Sequence, residues 1–181
     1  MLIHKSDTFI VEIPKTGTKT VRRIVDQISN GSSLHGHFSI SEAIRKNEGN
    51  GFSEIIAVIR NPEERLLSAV NFCMKLKNID AGTLLKGALN GYAKQNNMAE
   101  HYSFKPQYKF LDTPDKVTIF RFEELNRLAT YLGFSKPLPH VNKSEALISN
   151  SDLKKFSAYR DVMALYEKDL ELYESYSIFE M

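Results

Sequence analysis

Residues 8–13 form an apolar, β-branched run that breaks at Pro14 and Gly17, which predicts a buried strand ending in a turn. From Thr18 the period changes: Val21, Ile24, Val25 and Ile28 recur at helical spacing until Asn30-Gly31 stops the pattern. The same grammar returns at residues 55–59, a wholly apolar strand followed by Arg60 and then Asn61-Pro62-Glu63-Glu64. There Asn61 is a suitable N-cap, Pro62 fits the first helical position, and the two acids suit the positive end of the helix dipole. That helix should run to about Lys77 with Leu66, Leu67, Val70, Cys73 and Met74 inward, and a third strand at residues 117–120 precedes a short helix over residues 123–132 that ends at Gly133.

Strands alternating with helices predict an α/β fold: a parallel sheet covered on both faces, with ligands at the carboxyl ends of the strands. The two strand-to-helix junctions are therefore the places to look for chemistry. The middle, residues 80–111, is polar and more helical than extended. The tail from Asp152 carries Leu153, Phe156, Leu165, Tyr166, Leu170 and Tyr173 at helical spacing, which packing onto the sheet explains without a ligand.

Composition narrows the class. At 181 residues, 42% hydrophobic and 25% charged, the chain is globular and the size of one domain, expected to span residues 1–181. A net charge of +2 is too slight to bind a polyanion by bulk charge, so no nucleic-acid partner is expected and any anionic ligand must be held by local groups. The single cysteine, Cys73, lies in an apolar helical stretch, where packing is expected rather than catalysis, and it allows no intrachain disulfide. No apolar run reaches signal-peptide or membrane-span length, so a cytoplasmic protein without a membrane partner is expected.

At the first junction, Ile13-Pro14-Lys15-Thr16-Gly17-Thr18-Lys19-Thr20 sets a glycine, three threonines and two lysines between a buried strand and a helix N-terminus. Exposed amide N–H groups and the helix dipole there favour an anion, Gly17 permits close backbone approach, and the threonine hydroxyls add donors. Lys15 is the first choice of catalytic cation, and Thr20 a better candidate contact than Lys19. The plain alternative is a helix start that uses Thr18 as its cap. The loop is not the phosphate loop of nucleoside-triphosphate kinases, which would need glycine in place of Glu12 and lysine in place of Thr18.

The second junction, Arg60-Asn61-Pro62-Glu63-Glu64-Arg65-Leu66-Leu67-Ser68, puts an arginine at a strand end and a serine about two turns into the next helix. Arg60 can fork onto a phosphate and Ser68 can add a donor. With these residues in view, the chain resembles the sulfotransferases that use 3'-phosphoadenosine 5'-phosphosulfate (PAPS). Pro14-Lys15-Thr16-Gly17-Thr18 is similar to their 5'-phosphosulfate loop, and Arg60 with Ser68 has the spacing of their 3'-phosphate site. Phe120-Arg121-Phe122-Glu123-Glu124-Leu125 is similar to their strand-plus-acid segment, and Pro139-His140-Val141-Asn142-Lys143-Ser144 to their late nucleotide loop. The resemblance covers most of residues 8–145. It implies a three-layer fold of P-loop sulfotransferase type and in-line sulfuryl transfer to an acceptor hydroxyl or amine. It further implies the bisphosphate PAP as product, no metal, and Asn142 and Lys143 among the nucleotide contacts.

Transfer to an alcohol needs a base, and a histidine suits that task near neutrality. In Leu34-His35-Gly36-His37-Phe38, read as the next strand or its exit, His35 and His37 share one side. The segment is similar to the His-Gly-His of glycan O-sulfotransferases, notably the uronyl 2-O class, which implies His37 as base, His35 as its neighbour and a carbohydrate acceptor. The pair read as a metal site lacks a nearby third ligand, and a purely structural pair is the other alternative. Glu12, Glu123 and Glu124 are substitute bases, Glu12 being better suited to a structural ion pair. His4, His101 and His140 are read as inert. Arg65 is assigned equally to an acid of its own helix or to ligand, and Gln107 and Tyr108 are candidate pocket-lining residues. Two rivals stay open: an ATP- and magnesium-dependent small-molecule kinase, and a non-catalytic nucleotide-binding protein that keeps the fold.

Overall fold

The computed structural model describes residues 2–3, 7–28, 33–94, 101–113, 116–138 and 146–176. The chain divides into two compact units, one of Met1–Arg60, Gln107–Asn142 and Tyr176–Met181, the other of Asn61–Pro106 and Lys143–Ser175.

The first unit is α/β. Its strands are β1 (Leu2–Ile3), β2 (Thr8–Val11), β3 (Ser33–Leu34), β4 (Glu54–Ile59) and β5 (Val117–Arg121), in the sheet order β3-β1-β2-β4-β5. Strands β2, β4 and β5 are parallel, Ile10 lying beside Ile56 and Val58 beside Phe120. The sheet is nonetheless mixed, not wholly parallel as expected, because β1 runs antiparallel to both β2 and β3. Only four residues separate β1 from β2, enough for a hairpin and far too few for a crossover.

Helix α1 (Thr18–Ile28) follows β2 and α2 (Ile40–Lys46) follows β3. Ser39 caps α2 by accepting from the Glu42 amide, while the Glu42 carboxylate accepts from the Ser39 amide. Ile10, Ile56, Val58 and Phe120 on one sheet face cluster with Val21 and Val25 of α1 and with Leu128, one apolar layer formed by alternate strand residues and one helix stripe. Residues of the opposite face, Phe9, Val11, Ile55, Ala57 and Ile59, are buried as well.

The second unit is helical in its described part: α3 (Pro62–Lys77), α4 (Ala81–Lys94), α5 (His101–Phe104), α7 (Asn150–Leu153), α8 (Ala158–Ala164) and α9 (Glu167–Ser175). The remaining helix, α6 (Leu125–Tyr131), belongs to the first unit. Asn61 Oδ1 caps α3 as expected, accepting from the amides of Glu63 and Glu64. Leu66, Val70 and Cys73 of α3, with Leu84 and Leu85 of α4, build a core that Leu153 and Tyr166 of the tail enter. The tail stripe thus packs on α3 and α4, where packing onto the sheet was expected. Cys73 is buried there. No described helix is long and apolar enough to cross a membrane.

Candidate functional site

The site is built in the first unit, where β2 and β4 lie side by side and deliver Glu12–Thr18 and Arg60 at their carboxyl ends. Chain direction leaves β2 into a tight turn in which Lys15 has φ 69° and Gly17 φ 85°. A Cβ at position 17 would lie 2.9 Å from Leu125 Cδ1 and 3.2 Å from the Phe122 ring, so glycine is required by the left-handed backbone and by close packing together.

The threonines of the loop act differently from expectation. Thr16 Oγ1 and Thr18 Oγ1 both donate to the Ile13 carbonyl, at 2.8 and 2.9 Å. Their protons therefore tie the turn together and are not donors to a ligand. The cap position itself falls on Gly17, whose carbonyl accepts the first intrahelical bond, and Thr18 is the first helical residue. The Gly17 carbonyl accepts from the amides of Thr20 and Val21, which starts the helix and leaves its first N–H groups without an intrahelical acceptor. Thr16 and Thr20 are buried, Lys15 is half-buried and Lys19 is exposed.

Arg60 is held at three points. Its N–H donates to Gln107 Oε1 at 2.9 Å, and Gln107 Nε2 donates back to its carbonyl at 2.8 Å, so one fully buried amide side chain clamps the strand end like a missing neighbour. The guanidinium lies over the Phe122 ring, 4.4 Å from its centre, and donates to the Lys15 carbonyl at 3.5 Å. Gln107 is thus a support for Arg60 and not a wall of the pocket. The aromatic ring that shelters Arg60 also packs against Gly17, so Phe122 joins the two junctions.

Glu12, directly after β2, is almost wholly buried and serves as the hub of the histidine segment. Its carboxylate takes a forked pair from Arg22 (Nε 2.5 Å, Nη2 3.0 Å) and a bond from the Gly36 amide at 2.7 Å. Burial alone would raise its pKa, but the Arg22 hydrogen bond, the Gly36 amide and the Arg22 charge outweigh it and hold the carboxyl below its ordinary value. The ion-paired reading of Glu12 therefore stands over its use as a base. Its backbone carbonyl meets His37 Nδ1 at 2.6 Å. His35 sits between two acids, with Nδ1 3.6 Å from Glu12 Oε1 and Nε2 3.5 Å from Asp26 Oδ1.

The other candidates divide by unit. Glu124 is occupied, accepting from the Arg121 amide and from Arg127, while Glu123 is exposed. Ser68 is half-buried on α3 and belongs to the second unit. Arg65 belongs to that same unit. It is fully buried, donates to the carbonyls of Lys105 (2.6 Å) and Ser103 (3.3 Å), and lies 3.9 Å from Asp169, so it organises the helical core. Asn142 and Lys143, with His140, lie outside the described residues. Among the described residues no group of three or more His, Cys, Asp or Glu side chains could hold a metal ion.

Sequence reasoning did not single out Arg22, Phe122 or Gly36. A Cβ on Gly36 would stand 2.3 Å from the Phe38 ring, so this glycine is explained by packing. Only the Glu12-to-Arg22 charge pairing left a trace in the sequence, and nothing local marks it. The chain matches no family model, no curated protein and no solved structure.

Proposed function

We propose that the protein is a PAPS-dependent sulfotransferase that moves a sulfuryl group to an acceptor hydroxyl, of a carbohydrate. The observation that carries this reading is the meeting of Arg60 with the Lys15–Gly17 turn, its guanidinium on Phe122 and 3.5 Å from the Lys15 carbonyl. Such a meeting of cations with the open amides of α1 suits a ligand with separated anionic groups. In this reading the amides of residues 17–19 hold the 5' side of the donor nucleotide. Arg60 holds the 3'-phosphate.

Lys15 neutralises the charge that grows on the leaving oxygen as the sulfur–oxygen bond breaks. His37 takes the acceptor hydroxyl proton as the new bond forms. The hydrogen bond from Nδ1 to the Glu12 carbonyl supports this role, because a carbonyl only accepts, which leaves Nε2 as the basic nitrogen of the neutral ring. Because the Thr16 and Thr18 hydroxyls donate to the Ile13 carbonyl, this reading assigns the donors in the turn to amides and Lys15.

The test is PAP release from PAPS with a panel of uronic-acid oligosaccharides as acceptors, in wild type, Lys15→Ala and His37→Ala. Acceptor-dependent release that falls at least about a hundredfold in each variant is expected. Release that is absent throughout, or indifferent to both substitutions, overturns the reading.

A further inference from the structure

We propose that Glu12 and Arg22 are positioning residues that fix the tautomer and the aim of the His37 imidazole, an inference whose catalytic meaning rests on the reading of His37 as base. Glu12 grips the His-Gly-His segment twice. Its carboxylate accepts from the Gly36 amide at 2.7 Å, and its main-chain carbonyl accepts from His37 Nδ1 at 2.6 Å. Neighbouring residues of the segment are thus bound to the two ends of a single residue. The orientation of that residue sets where the ring points.

Glu12 cannot hold this orientation by itself, because a carboxylate that is about 1% exposed needs a counter-charge. Arg22, on the second turn of α1, supplies it through two donors at 2.5 and 3.0 Å, a fork that fixes direction as well as distance. Among the described residues His35, 3.6 Å from the same carboxylate, and Asp26, which His35 approaches from its other nitrogen, also face the pair, and the positive N-terminal amino group acts on Glu12 in the same direction as Arg22. Neither His35 nor Asp26 faces Glu12 with a fork. The segment is stiffened further by Phe38, whose ring lies against Gly36 and under the Lys46 ammonium, 4.6 Å away.

The consequence is a held tautomer. With Nδ1 as donor to a fixed carbonyl, a flip to the Nε2–H form would set a nitrogen lone pair against an oxygen lone pair. Without Arg22, the Glu12 carboxylate keeps the Gly36 amide but loses its forked partner, so the grip on the segment loosens beside His37 and the ring shifts against the Glu12 carbonyl. The tautomer preference then falls toward that of an unconstrained ring. Arg22 is replaceable without emptying a core position, since its side chain is one-third exposed.

The experiment is ring-nitrogen NMR of His37 in the intact protein, for wild type, Arg22→Gln, Glu12→Gln and the conservative Arg22→Lys. Wild type should show the Nδ1–H tautomer. Arg22→Gln and Glu12→Gln should lower the Nδ1–H to Nε2–H ratio about fivefold, the worth of one net hydrogen bond, with Arg22→Lys recovering part of it. A wild-type ring in the Nε2–H form, or variants that leave the ratio unmoved, overturns the inference. Should Glu12→Gln fail to fold, Arg22→Gln decides alone. PAP titration of the same wild-type sample keeps the two claims apart. Failure to bind PAP refutes the sulfotransferase reading and leaves the tautomer result intact, whereas PAP binding with an unmoved tautomer refutes the positioning role.

Discussion

Gln107 is the residue whose removal most directly probes how Arg60 is held. The side chain has no exposed surface and exchanges two hydrogen bonds with one backbone unit, 2.9 Å from the Arg60 N–H and 2.8 Å to its carbonyl. Gln107→Ala removes both bonds and opens a small void. Each bond contributes about 1 kcal/mol net, and an orphaned buried partner costs about 1–3 kcal/mol, so the expected loss is about 2–5 kcal/mol. Gln107→Met separates the two causes because it refills the volume while supplying neither donor nor acceptor. If hydrogen bonding dominates, the two variants should be destabilised alike in urea unfolding, and PAP affinity should fall in both, as Arg60 loses its fixed base. Stability within about 0.5 kcal/mol of wild type in Gln107→Ala would refute the clamp. Recovery in Gln107→Met would assign the cost to packing.

Three further outcomes follow from other sites. Gly17→Ala should destabilise the protein by about 1–3 kcal/mol in the same assay, since φ is 85° and the new Cβ would stand 2.9 Å from Leu125. Arg65→Ala, which takes the buried cation away from Asp169 and a donor from two carbonyls, should cost about 3–5 kcal/mol by urea unfolding, whereas Arg65→Met with Asp169→Leu should recover much of that. The Glu12 carboxyl is held below its ordinary value, so on acidification the unfolded chain takes up the proton first. Its stabilisation is therefore complete above the ordinary carboxylate pKa and is lost as pH falls through the lower folded value. Urea unfolding of Glu12→Gln should accordingly show a shallower loss of stability below about pH 5 than wild type.

The parts of the fold set by local chemistry were legible in the sequence. The periodic stripe of α1 ended at Ile28, and Asn61-Pro62 started α3 by cap and ring geometry. The parallel core strands were read as buried runs because both faces are covered. The two-residue strand β1 escaped because a pair of residues has no period, and its antiparallel pairing with β2 and β3 makes the sheet mixed. At the candidate site, Lys15, Gly17, Arg60 and His37 stand out in the sequence because each sits at a strand end or beside a turn signal. The supporting roles do not, because each acts between residues that no local motif links: Gln107, marked by sequence only as a candidate pocket-lining residue, reaches Arg60, Phe122 reaches Gly17, and Arg22 reaches Glu12. For Thr16 and Thr18 the sequence leaves two uses of the hydroxyl open, because in a turn it bonds its own backbone as readily as a ligand, and here both bond Ile13. By sequence Arg65, one turn before Ser68, is equally suited to an acid of its own helix or to ligand. Only the backbone carbonyls of Ser103 and Lys105 reveal why it is buried.

The central claim is that the Lys15–Gly17 turn and Arg60 hold a nucleotide bisphosphate, and calorimetric titration with PAP beside ATP, each with and without magnesium, tests it most directly. Metal-independent PAP binding that Arg60→Ala loses is the predicted result. Tight binding of magnesium-ATP with no binding of PAP, or PAP binding that survives Arg60→Ala, would contradict it.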